Sequence, residues 1–209
     1  MLSWLKFFNV VKSIPHCSQK RIDMDAFTSS FKPHPSECGR SVKLSAIDHI
    51  APRDYLVVFF FFRLSPTSDK ARIFQELEQG LFATTQQIPE ILCSVSASPG
   101  DRDELQLLFD DDAGAAVSYK DYASGSLSRL WRHGRFQELE REHFPYCKLE
   151  SNLLLAPVQL HSGRKRRLAL QANFIDGGLI LSTRIHVSVT KRVRNDVASN
   201  LTVWLASVV

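Results

Sequence analysis

Residues 168–186 read LALQANFIDGGLILSTRIH, and this stretch decides the fold. Leu168, Leu170, Ala172 and Phe174 alternate with Ala169, Gln171 and Asn173, the two-residue period of a β-strand. Asp176, Gly177 and Gly178 tolerate the positive φ that a tight hairpin turn demands. Ile180, Leu181 and Ile185 then form a returning strand that continues toward Val189. The pattern predicts a hairpin. Beyond it lies a basic elbow of Lys191, Arg192 and Arg194. Asp196 is placed there to cap a helix with Val197, Leu201, Trp204, Leu205 and Val208 on one face.

Upstream, residues 55–64 read YLVVFFFFRL and are apolar at both alternating sets of positions. That predicts a strand covered on both sides, as in parallel or mixed sheets flanked by helices. Ser65 to Asp69 open a helix in which Ile73, Leu77, Leu81 and Ile88 fall on one stripe beside Phe74 and Phe82, with Pro89 ending it. Ile91–Ala97 and Leu105–Phe109 make a second hairpin through Ser98, Pro99, Gly100 and Asp101. Ala116 to Tyr119 add a strand, and Leu127, Leu130 and Trp131 begin a helical stripe running into FQELEREHFP, closed by Pro145. The implied class is α/β (α+β), a mixed sheet with flanking helices. Residues 1–40, without a sustained period and ending in Pro33, Pro35 and Gly39, read as a poorly ordered leader. Order is expected from Lys43, within a domain spanning residues 41–209.

Composition narrows the function. The chain has 209 residues, 44% apolar and 23% charged, enough for one large domain without a staple. Its net charge of +4, from 26 basic and 22 acidic residues, makes no case for nucleic acid. The basic run Arg164, Lys165, Arg166 and Arg167 has no interleaved aromatics and reads as a solvated loop before a strand. The apolar run from Tyr55 to Phe62 is too short to span a bilayer, and Lys6 interrupts the apolar opening, so no membrane is implied and a cytoplasmic location is expected. Cys17, Cys38, Cys93 and Cys147 form no CxxC pair, which argues against zinc and against a disulfide framework. Asp110, Asp111 and Asp112 lack the alternating spacing of a calcium loop and read as solvated.

Two stretches, LSAIDHIAP at residues 44–52 and QANFIDGGLIL at 171–181, resemble the N-terminal half of BAHD-type CoA-dependent acyltransferases, in particular the fungal trichothecene 3-O-acetyltransferase-like branch. The resemblance extends over about residues 43–206, and the region between the two stretches matches mainly in layout. It implies half of a chloramphenicol acetyltransferase-like fold and transfer of an acyl group, acetyl in the nearest branch, from acyl-CoA to a hydroxyl of a secondary metabolite. The implied partners are a small-molecule acceptor and acyl-CoA as co-substrate, with no resident cofactor and no metal.

In that family the strand carrying the base runs into His-His-x-x-x-Asp, where this chain has His186, Val187 and, four residues beyond Val187, Lys191. By resemblance the base position is Val187 and the aspartate position Lys191, which leaves His186 as a vestige. Successive strand side chains face opposite ways, so His186 cannot take the place of residue 187 without a slip that reverses the whole strand. No His-x-x-x-Asp occurs anywhere in the chain, nor does the family's DFGWG motif. Family members run to roughly twice this length, as two domains flanking a channel require. The expectation is a chain that does not catalyse alone. The alternatives are a non-catalytic binding half-domain that self-associates through its exposed domain face, or a truncated gene product.

Overall fold

The computed structural model describes residues 26–44, 54–98, 101–160, 162 and 164–186. The expected helix after Asp196, the elbow at 191–194, Val187, Lys191, most of LSAIDHIAP and the Pro99-Gly100 turn lie outside the described residues.

Nine strands, β1 (Ala26–Phe31), β2 (Ser41–Lys43), β3 (Tyr55–Arg63), β4 (Ser94–Ser98), β5 (Asp101–Leu108), β6 (Ala115–Asp121), β7 (Lys165–Arg166), β8 (Leu168–Ile175) and β9 (Gly178–His186), form two sheets among the described residues. The larger has the order β1-β6-β8-β9-β3, and the smaller β2-β5-β4-β7. β6 and β8 run parallel and the other pairs in the larger sheet antiparallel, so that sheet is mixed. The fold class read from the sequence is the observed one.

The decisive hairpin forms as expected, with Ile175 opposite Gly178 across a two-residue turn. Gly177 sits at φ 81°, a region that favours glycine. Gly178 is required for a second reason: a Cβ there would lie 2.0 Å from the Phe136 ring.

Helix α1 (Lys70–Gln87) also follows the sequence. The Asp69 carboxylate caps it by accepting from the Ala71 and Arg72 amides. Pro89 disfavours helical geometry at Ile88, where the chain leaves the helix. The stripe Ile73, Phe74, Leu77 and Leu81 is buried against Leu168, Leu170, Ala172 and Phe174 of β8 and Leu179, Leu181 and Ile185 of β9. Phe27 of β1 stacks on Tyr119 and meets Phe74 edge-on at 4.8 Å.

Several expectations are corrected. Within the expected leader Ala26–Phe31 forms a strand, which Phe27 and Phe31 hold against the core as it pairs with β6. The apolar strand 55–63 is covered on both faces along Phe59–Phe62, as expected, but not at its start, where Leu56 and Val57 are exposed, and it pairs with β9 alone among named strands. Ile91 and Leu92 belong to a 3-10 turn at Pro89–Leu92, not to the strand that follows. The predicted helical stripe from Leu127 is broken into a 3-10 turn at Ser126–Arg129 and the short α2 (Phe136–Arg141), since Gly134 takes φ 82° between them. Lastly, the basic run is no solvated loop: Lys165 and Arg166 form β7, and Arg167 is buried.

Candidate functional site

β9 ends at His186, opposite Tyr55 at the start of β3. Its imidazole shares a sheet face with Ser182 and Arg184, as strand alternation dictates. It is 2% exposed and helps line a cavity of about 340 Å3 between the two sheets. The other walls are Val95, Ser96 and Ala97 of β4, Leu105 of β5, Lys165 of β7, and Ser162 and Arg164 just before it. The His186 amide donates to the Arg167 carbonyl at 2.9 Å. The Tyr55 ring meets the imidazole edge-on at 5.1 Å.

Burial is the main reason that the His186 pKa falls to about 4, reinforced by the positive charges of Lys165 and Arg167 and opposed by Asp54. The ring is therefore neutral near pH 7, but it holds a proton too weakly for a general base working there. Of the residues singled out in the motif, the structure brings His186 to a cavity; Val187 and Lys191 lie outside the described residues. Arg167, which sequence reasoning left in solvent, is buried and donates to the Glu90 carbonyl at 2.9 Å.

The largest feature missed in the sequence is a polar clamp on that same face of the hairpin. Helix α3 (Ser151–Leu154) and the extended residues after it cross the sheet, and side chains of β6, β8 and β9, with Tyr122 just after β6, hold their carbonyls. Lys120, Tyr122 and Gln171 donate to Leu153 O at 3.1, 2.7 and 2.6 Å. Asn173 and Ser182 donate to Leu154 O, and Arg184 to Ala156 O at 3.3 Å. The signal was Gln171 and Asn173 two apart in a strand whose other face is apolar. Nothing local says that such a face is buried.

The acidic triplet is structural. Asp110 caps the turn by accepting from the Asp112 and Ala113 amides, accepts from Ser94, and pairs with Arg164 at 3.2 Å. Among the described residues no group of three His, Cys, Asp or Glu side chains could hold a metal ion. Cys38, Cys93 and Cys147 are free thiols, and burial pushes Cys93 up to about 12, which leaves it an unreactive core residue. No helix among the described residues is long and apolar enough to cross a membrane. A second cavity, of about 400 Å3, lies at the opposite, turn end of the hairpin. Its cations are already paired, Lys70 with Asp121 at 2.8 Å and Arg135 with Asp176 at 2.9 Å.

Comparison with known proteins converges on one family. Residues 55–193 match the trichothecene 3-O-acetyltransferase-like N-terminal domain. Acyltransferase cm3D of Cordyceps militaris is 34% identical over 158 residues, covering 71% of this chain and 32% of that protein. Acyltransferase easC of Emericella nidulans is 29% identical over 150 residues, covering 71% and 31%. The matched region thus spans about a third of the length of these curated relatives. Among solved structures, TRI101 of F. sporotrichioides, complexed with coenzyme A and T-2, superposes with a TM-score of 0.63 at 23% identity, over 80% of this chain and 41% of that one. Vinorine synthase gives 0.51 at 13% identity, over 87% and 43%.

Proposed function

The chain belongs to the trichothecene 3-O-acetyltransferase-like family, and from that premise we propose that its fold serves acyl transfer from acyl-CoA to a hydroxyl of a small secondary metabolite, acetyl being the group. The observation that carries this reading is the end of β9. There His186, the last described residue of the strand, lines a cavity between the sheets, one residue before the position that by resemblance carries the family's base. In this reading acyl-CoA is a co-substrate that comes and goes, and the chain acts in the cytoplasm.

The same position argues that the chain as written is inactive. Val187 has no proton acceptor, and Lys191 puts a positive charge where the family has an aspartate. His186 does not rescue the reaction, since its side chain faces the other side of the strand and stays neutral down to about pH 4. The test is thiol release from acetyl-CoA by the purified chain in the presence of hydroxylated acceptors. Background rates are expected. Turnover above background that is lost in Val187→Ala would overturn the inactive reading.

A second reading, a non-catalytic binding half-domain that self-associates, is favoured by β3. Among the described residues this strand stands at a sheet edge and carries a run of apolar residues, with Leu56 45% and Val57 38% exposed. Unprotected apolar edges recruit other strands. Light scattering that reports a concentration-dependent mass would support it, and a stable monomer at high concentration would count against it.

A further inference from the structure

We infer that Tyr55 is the positioning residue of the cavity: its hydroxyl ties the small sheet to the large one, while its ring sets the attitude of His186. The inference rests on reading this cavity as the functional site but not on turnover there.

Three observations carry it. First, Tyr55 opens β3 in the five-stranded sheet, yet its hydroxyl donates at 2.6 Å to the carbonyl of Arg166, which belongs to β7 in the four-stranded sheet. Second, the same ring meets His186 at 5.1 Å with an interplanar angle of 88°. Third, the Arg184 guanidinium lies 5.1 Å from the centre of that ring while donating to Ala156 O, so the clamp across the sheet also bears on Tyr55. The His186 amide donates to Arg167 O, which continues the β8–β9 ladder to the residue that directly follows β7. Lys165, whose side chain lines the cavity, immediately precedes the carbonyl that Tyr55 holds.

The Tyr55 tie sets how far β7 stands from the end of β3, and hence the width of the cavity. Phenylalanine at 55 would keep the ring and leave the Arg166 carbonyl at a joint between sheets without its donor, where water would replace it. Water at the joint would reach His186. The groups facing that imidazole are the Tyr55 ring and Asp54 from the β3 side, Lys165 of β7, and Arg167 between β7 and β8. Of these, only the Tyr55 side chain changes in the substitution.

The experiment is Tyr55→Phe in the full chain, read by NMR titration of the His186 imidazole and by amide exchange. His186 is expected to titrate at least one pH unit above its starting value near 4, and the His186 amide to exchange about tenfold faster. An unchanged His186 titration overturns the inference, even if the melting temperature falls, because that pattern belongs to a merely structural tyrosine. In the unmutated chain the Tyr55 hydroxyl proton is expected in slow exchange. Rapid averaging with solvent would overturn the inference without any variant. Coenzyme A binding by the unmutated chain, measured alongside by calorimetry, tests the functional reading separately: its absence would sink that reading and leave the Tyr55 result standing.

Discussion

The two faces of the β8–β9 hairpin solve the same problem by opposite means. One face, built from Leu168, Leu170, Ala172, Phe174, Leu179, Leu181 and Ile185, is covered by the stripe of α1, with dispersion and loss of water contact as the driving force. Much of the other face is as fully buried; Ile175 and Ile180 near its turn join a second apolar cluster, but along its middle Gln171, Asn173 and Ser182 donate to carbonyls of residues 153 and 154. Apolar burial is tolerant of detail, because any close-fitting hydrocarbon serves. A hydrogen-bonded face is not, because each buried polar atom needs its own partner. The contrast predicts which substitutions the molecule accepts on each side.

The largest effect is expected on the apolar face. Phe74, with no exposure, is held between Phe27 and Tyr119. Phe74→Ala should destabilise the chain by about 3–5 kcal/mol, read as a fall in the urea midpoint. A loss under about 1 kcal/mol would mean that α1 is not packed on the sheet as described.

On the polar face the informative change runs against hydrophobicity. Asn173→Leu adds apolar surface at a position with no exposure, which would stabilise an ordinary core. Here it removes donors to Leu154 O and Ile180 O and the acceptor that Gln171 uses at 2.6 Å. The expected result is a loss of about 1–3 kcal/mol, with faster exchange in residues 153–156. A gain in stability would erase the distinction between the faces.

This difference also marks what the sequence could reveal. The hairpin, its Asp-Gly turn and α1 were legible because the determining residues are neighbours: Asp176 and Gly177 for the turn, Asp69 and Pro89 for the helix ends. The burial of Gln171 and Asn173 was not, since their acceptors stand 18 and 19 residues upstream. The same holds for Arg167, whose acceptor at Glu90 is 77 residues away. A solvated basic run and a buried arginine read alike until that partner arrives. The edge position of β3 was hidden for another reason. Phe60 and Phe62 pack on the α1-side cluster while Phe59 and Phe61 pack on the other, so both of its faces needed apolar residues wherever the strand stood in the sheet. At the site, His186 was legible as a residue of the returning strand, but its surroundings were not, because the cavity walls come from β4, β5 and β7.

The polar face also carries a pH dependence. His186 titrates near 4 in the folded chain against 6.5 for an unperturbed histidine, so the unfolded state binds its proton first as pH falls. Stability contributed by the neutral ring is complete above pH 6.5 and is lost progressively between 6.5 and 4. Urea midpoints measured across this window should fall with acidity, and His186→Gln should flatten the slope. An equal slope in the variant would place the dependence on other groups.

The smallest effect tests the apolar face at its one intruding hydroxyl. Thr183 lies on that face, opposite Leu170 and Val58 in the ladder, is 1% exposed, and its Oγ1 has no hydrogen-bond partner among the described residues. An unpaired buried hydroxyl carries a desolvation penalty with nothing to offset it. Valine has nearly the same shape and suits a strand. Thr183→Val should therefore raise the urea midpoint, by about 0.5–1 kcal/mol in stability. A loss would show that the hydroxyl has a partner and that this face, too, is held by a specific polar contact. In that case the two sides of the hairpin would differ in how many such contacts they carry, and not in kind.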